Sequence, residues 1–402
     1  MYAILQSRLE GLKAEAAEFA RELVEVESLS LHEEQVAELV ERKMRALGFH
    51  QVVRDGYGNV VGALLGRQAT STLALVTHLD TIAAAKDDPH PCRVEDGRLY
   101  GLGAADCKGG IAAQLYAAYL LKYSLLPLDG NLVVAATVAE ENGLGLGVRG
   151  LMERTLPEMG LKPDHVILGE PTNLGLYYGH DGWMEMDIEV EGMNPFQVDD
   201  IARSIATDLG DAMGGPEAGG EDFVLSQHGR RQQGGVALAS MRLARRLRRH
   251  GDEVGMLNQV THEARQSARN SGAVEVAVQV RQDAQRLYTG RTAVARRVVS
   301  AWHIDPFDPL MTRARQALAA AGCASQPGKW ELGRLGMGTA GSVLVNDFKI
   351  PTIGYGPGCE AQAHERGEFV ELEKMYTAIY GTAAIAHCLI GIPVCGWTAD
   401  EI

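Results

Sequence analysis

Along this chain, unbroken apolar runs alternate with amphipathic stretches, and the apolar runs hand over to ionisable residues. Residues 71–77 lead into His78, 131–138 into Glu140 and Glu141, 164–168 into Glu170, and 350–355 into a loop that reaches His364. Short apolar runs bounded by turn residues predict strands buried on both faces. Apolar residues at helical spacing predict helices over 3–26, 33–47, 111–122 and 371–389, the second stopping at Gly48. Two more strands are expected near 51–54 and 59–65, around the turn-rich Asp55-Gly56-Tyr57-Gly58. Strands alternating with helices, with polar residues at their carboxyl ends, describe an α/β sheet whose site lies along one edge.

The rhythm weakens between about 183 and 301, where no lysine occurs and arginine becomes dense. This shift predicts a second unit, 183–301, inserted between the two parts of the first, 1–182 and 302–402. The arginine-rich 242–249 reads as a solvated helix face. A length of 402 residues, too great for one ordinary core, agrees with two units.

Composition narrows the class. A net charge of -14 argues against a nucleic-acid partner, which would need clustered positive charge. No apolar run is long enough to cross a bilayer. The first residues read as a charged amphipathic helix and not as a leader, so a cytoplasmic location is expected. The six cysteines (92, 107, 323, 359, 388 and 395) form no paired framework, and reduced thiols are the simplest reading.

Five side chains then draw attention as metal ligands: His78, Asp106, Glu141, Glu170 and His364. Two imidazoles and three carboxylates suffice for a pair of zinc-like ions, with one carboxylate shared. His78 is followed by Asp80, and a metal-bound imidazole commonly passes its second N–H to a carboxylate. Asp106 lies in Gly101-Leu102-Gly103-Ala104-Ala105-Asp106-Cys107-Lys108-Gly109-Gly110, a glycine-rich loop opening a helix. A phosphate loop is the competing reading there, but the Walker pattern fails after Lys108. Glycines in such a loop let backbones crowd together. Glu140 and Glu141 follow an apolar strand, and successive extended residues would point them to opposite faces. One would then bind metal while the other addresses a metal-activated water. Each residue alone reads as a surface or capping group; all five together, at strand ends or in the loops beyond, point to a metal site. The remaining histidines, His180 included, are expected to be packing or surface residues.

These motifs, with Gly169-Glu170-Pro171-Thr172 and Gly356-Pro357-Gly358 before His364, resemble the M20 family of metal-dependent amidohydrolases and peptidases. That family includes acetylornithine deacetylases, succinyl-diaminopimelate desuccinylases and glutamate-releasing carboxypeptidases. The likeness covers the stretch before about 191 and that from about 301 onward. It implies a zinc-exopeptidase-like α/β domain, a mixed sheet flanked by helices, with a smaller α/β lid inserted and often used for homodimerisation. It further implies two divalent ions, zinc fitting best and cobalt or manganese also accepted. Asp106 would bridge them, His78 and Glu170 completing one site and Glu141 and His364 the other. Glu140 would be the general base, Asp80 would orient His78, and the substrate would be an N-acyl amino acid or small peptide.

The lid departs from the family pattern. After 185–191 the family shows a Gly and then a His followed by Pro, whereas here Gly192-Met193-Asn194-Pro195-Phe196-Gln197 contains no histidine. Asp181 also stands where the family often has Arg. A diverged lid, a lid rebuilt for another purpose, and a stretch encoded out of frame are the competing explanations. Accordingly, a metal-retaining homologue with a binding role rivals the amide hydrolase, and cleavage of an ester or carbamoyl bond is a third reading.

Overall fold

The computed structural model describes residues 1–69, 71–83, 91–213, 223–233, 235–269, 274–331 and 338–392. His90, Cys395 and the side chain of His228 lie outside the described residues. A nine-stranded mixed sheet forms the centre of the larger part of the molecule. Asn131–Thr137, Thr72–His78, His165–Leu168 and Thr352–Gly354 lie side by side in it, and each is parallel to its neighbour. Parallel strands bring their carboxyl ends to one edge, so these four deliver their following residues to the same place.

The apolar runs are explained by two-sided burial. Every residue of Thr72–His78 and Asn131–Thr137 is buried, because helices cover both sheet faces. On one face Gly109–Tyr123 packs against Leu372–Ile390, and Leu75, Ile111, Leu115 and Ile385 belong to one cluster there. On the other face Ala74, Val76 and Val133 meet Leu151, Val343 and Trp302. The helix Glu34–Ala46 buries Val36, Ala37, Val40 and Met44, a stripe at helical spacing. It ends as expected at Gly48, whose φ of 70° places it in the left-handed region. The helix expected over 3–26 is two helices, Tyr2–Glu10 and Lys13–Glu25. The break at Gly11 and Leu12 keeps both Leu9 and Leu12 buried.

Residues expected to form an inserted unit hold a second sheet, five-stranded and antiparallel. Its central strand, Gly182–Gly192, turns Met184, Met186, Ile188 and Val190 inward at every second position. The helix Pro195–Met213 covers them with Val198, Ile201, Ile205 and Leu209, and Asp252–Ala268 adds Val260 and Ala264. This is a core of its own, so the weakened rhythm reflects alternation diluted by Ala and Arg, not a loss of pattern. The arginine-rich 242–249 is correspondingly not a helix face: it begins inside the strand Val236–Leu247. There Arg242 sits opposite Asp187 on the neighbouring strand and pairs with it at 3.2 Å. Opposite charges directly across an antiparallel pair stabilise that register.

Candidate metal centre

At the carboxyl edge of the large sheet the five candidate ligands converge in two groups that share Asp106. Nε2 of His78 lies 3.2 Å from Asp106 Oδ1 and 3.9 Å from Glu170 Oε2. Nε2 of His364 lies 3.5 Å from Asp106 Oδ2 and 2.9 Å from Glu141 Oε1. Asp106 therefore turns one oxygen toward each group, the arrangement a bridging carboxylate needs. Within each group the donor atoms lie within 4.8 Å of one another.

Close backbone approach makes the convergence possible. A Cβ at Gly110 would stand 1.9 Å from the carbonyl oxygen of Gly169, and one at Gly358 would stand 2.1 Å from that of Ala105. The glycines thus let the Asp106 loop lie directly against the segments bearing Glu170 and His364. The same loop is gripped by Glu368, whose carboxylate accepts the N–H groups of Gly103, Ala105 and Asp106 at 3.0, 2.8 and 3.1 Å.

His78 Nδ1 lies 2.9 Å from the backbone carbonyl of Asp80 and 3.5 Å from its carboxylate. A carbonyl can only accept, so Nδ1 carries a proton and Nε2 faces the cluster, where it donates to Asp106 while the ring is protonated and would offer its lone pair to a bound cation. The backbone of Asp80 is thus the nearer orienting partner, where the sequence pointed to its side chain. The Asp80 carboxylate also does something else. Its two oxygens accept the N–H groups of Glu140 and Glu141, each at 3.0 Å, and the Ser30 hydroxyl donates to it at 2.5 Å.

Glu140 and Glu141 do not alternate as successive strand residues. The strand stops at Thr137, and Ala139 is left-handed at φ 54°, turning the chain into a corner. Both carboxyls consequently face one cluster. Glu141 meets His364, and Glu140 is buried among His78, Glu170 and Glu141 with Oε1 unpartnered among the described residues.

Burial dominates the electrostatics. It pushes the Glu140 carboxyl well above the usual range, with repulsion from Glu170 and Glu141 adding to the shift and His78 opposing it. Glu141 is raised for the same first reason, and Glu170 is raised to about 7. Asp106 goes the other way: burial is outweighed by the hydrogen bond from His78 and by the charges of His78 and His364. A cluster that crowds anionic groups out of water is relieved by bound cations, which favour the ionised carboxylates. The donor set, imidazole nitrogens with carboxylates and one shared carboxylate, fits two divalent ions of zinc type.

Glu33, Ser30, Cys107 and Glu368 are neighbours of the centre that sequence reasoning left without a role. The Cys107 thiol is buried against Asp106 Oδ1 at 2.8 Å and Glu170 Oε2 at 3.0 Å. Its position next to Asp106 was the available signal. His180, expected to be structural, is buried between Trp302 and Trp330, with Nδ1 facing the Asp181 carbonyl at 2.6 Å. The five described cysteines are free thiols. No helix among the described residues is long and apolar enough to cross a membrane.

An α/β sheet carrying paired His and carboxylate groups around a shared aspartate defines a candidate dinuclear metal centre. Residues 74–387 match the model of peptidase family M20/M25/M40, and the chain belongs to that family, one of hydrolytic enzymes. Among curated relatives, the uncharacterized protein YgeY of Escherichia coli (strain K12) is 29% identical over 48% of this chain and 48% of its own. Succinyl-diaminopimelate desuccinylase of Corynebacterium glutamicum is 33% identical over 42% of this chain and 45% of its own. The chain thus spans about half the length of the curated relatives it matches. Of solved structures, a dinuclear metal binding M20 peptidase, YxeP of Bacillus subtilis, superposes with a TM-score of 0.69 at 15% identity, covering 95% of this chain and 99% of its own. A Staphylococcus aureus tripeptidase gives 0.68 at 19% identity, covering 93% and 97%. These two likenesses establish the fold.

Proposed function

We propose that the protein is a metal-dependent hydrolase that cleaves an amide bond of an N-acyl amino acid or small peptide. The observation that carries this reading is the split of Asp106, one oxygen toward His78 and the other toward His364. Two divalent cations, best matched by zinc, would polarise the scissile carbonyl and make a water acidic enough to attack it. His78 and Glu170 hold one side of the centre, Glu141 and His364 the other, and Asp106 joins them. Glu140 accepts a proton from the attacking water as the new C–O bond forms. It then returns that proton to the amine nitrogen as the C–N bond breaks. Asp80 keeps Glu140 in place through its backbone amide. Residues 183–301 act as the lid in this proposal. They reach the corner through Gln285, which accepts from the Asn142 side chain at 2.8 Å, and Arg297, which donates to the Asn142 carbonyl at 2.5 Å.

One observation favours a second reading, a metal-retaining homologue with a binding role. The strand Gly182–Gly192 passes to the helix Pro195–Met213 through Met193 and Asn194 alone, so this connection supplies no histidine to a substrate. A single assay separates the two readings. Zinc-loaded protein is incubated with a panel of N-acyl amino acids, dipeptides and tripeptides, beside a chelated sample and Glu140→Gln. Turnover lost on chelation and reduced about 10²–10⁴-fold in Glu140→Gln supports the hydrolase, since a positioned general base contributes that much. Two ions bound with no turnover on any member would support the binding reading.

A further inference from the structure

The corner bearing Glu140 and Glu141 is held from behind by a segment far away in sequence. Residues 28–33 lie along the His78 loop: the Ser28 hydroxyl donates to the Leu79 carbonyl at 2.8 Å, and the Ser30 hydroxyl to Asp80 at 2.5 Å. Glu33 closes this brace. It is fully buried, and its Oε1 accepts the N–H of Leu31 at 2.9 Å and that of Ala139 at 3.0 Å, 106 residues further along. Asp80 accepts the next two amides, those of Glu140 and Glu141. Three consecutive N–H groups are therefore captured by two buried carboxylates, neither in the ligand set.

The capture answers a local problem. Ala139 is left-handed at φ 54°, a conformation that a residue with a Cβ keeps only where its surroundings fix it. A buried carboxyl is itself costly unless its hydrogen bonds compensate. Oε2 of Glu33 has no hydrogen-bond partner among the described residues, so its grip on Leu31 and Ala139 is what offsets that cost. Glu33 touches none of the five candidate ligands in these contacts; it acts through the backbone.

We propose that Glu33 is a positioning residue that aims the corner carrying Glu140 and Glu141, and through it governs the Glu141 and His364 half of the centre. The inference rests on the two-cation reading above. Its test is calorimetric titration of zinc into the metal-free full chain, as wild type, Glu33→Asp and Glu33→Gln. Glu33→Asp keeps the charge but falls one methylene short of Ala139, while Glu33→Gln keeps an oxygen at the original reach. His364→Ala identifies which of the two ions belongs to that half.

In Glu33→Asp the ion that depends on His364 should bind about 10–100-fold more weakly, the usual effect of losing an outer partner, while the other ion binds as in wild type. Turnover number should fall with KM unchanged, and Glu33→Gln should restore both properties. If Glu33→Asp does not fold, Glu33→Ala makes the same comparison. Equal weakening of both ions, or wild-type affinities with only a lowered melting temperature, would overturn the assignment and leave Glu33 a brace of the fold. A wild-type chain that does not take two ions would instead sink the two-cation reading, and this inference with it.

Discussion

The two halves of the candidate centre are anchored by different means. His78 closes one parallel strand and Glu170 lies two residues beyond another, and their side chains are 1% and 5% exposed. Their positions are fixed by sheet hydrogen bonds on neighbouring strands. Glu141 and His364 ride on loops instead, His364 at 10% exposure. Each depends on a left-handed residue, Ala139 at φ 54° and His364 itself at φ 62°. One half is preorganised by the fold; in the other, the Glu141 corner is preorganised by a few backbone amides that donate to buried carboxylates. The second should therefore be the weaker and more adjustable site.

Asp106, which serves both halves, gives the largest expected effect. Asp106→Asn should weaken both ions, each by more than the ~10–100-fold that loss of an outer partner costs, and should remove turnover with them. Metal analysis after dialysis checks this; loss of only one ion would show that the halves do not share a ligand. Next in size is the difference between the halves. Graded chelation should remove the ion that depends on His364 first, leaving a singly loaded protein, and His364→Ala should reproduce that state directly. Simultaneous loss of both ions would show that the two halves are held equally.

The smallest effect on the centre should come from the five-stranded sheet. Ile188→Ala empties part of a core shared by Met186, Val190 and Ile205, and should cost about 2–5 kcal/mol in denaturant unfolding of that part. Both metal affinities should stay unchanged, because the hydrogen bonds described from this region to the centre's corner come from Gln285 and Arg297, outside the core that Ile188 fills.

The same contrast explains what could be read in the sequence. The strand-borne half of the candidate centre was legible, since a buried strand leaves an apolar run and its end marks the candidate ligand. His364 was legible only with its glycine-rich approach and the other four residues. The supports of the loop-borne half left no local mark. Glu33 reaches Ala139 across 106 positions, and in the shared Asp106 loop Glu368 likewise reaches Ala105 across 263; an acid at either place looks like an ordinary helix-start or loop residue. The corner at Ala139 was equally hidden, because alanine does not advertise a left-handed backbone. In the five-stranded sheet the two-residue period was present, but alanines at inward positions 237 and 239 and arginines at outward ones blurred it.

Anomalous diffraction from crystals of the zinc-loaded chain would show directly whether Asp106 joins two cations. Two peaks should flank the Asp106 carboxylate, one about 2.0–2.1 Å from His78 Nε2 and the other at the same distance from His364 Nε2. A single peak, or two peaks of which neither contacts Asp106, would contradict that arrangement.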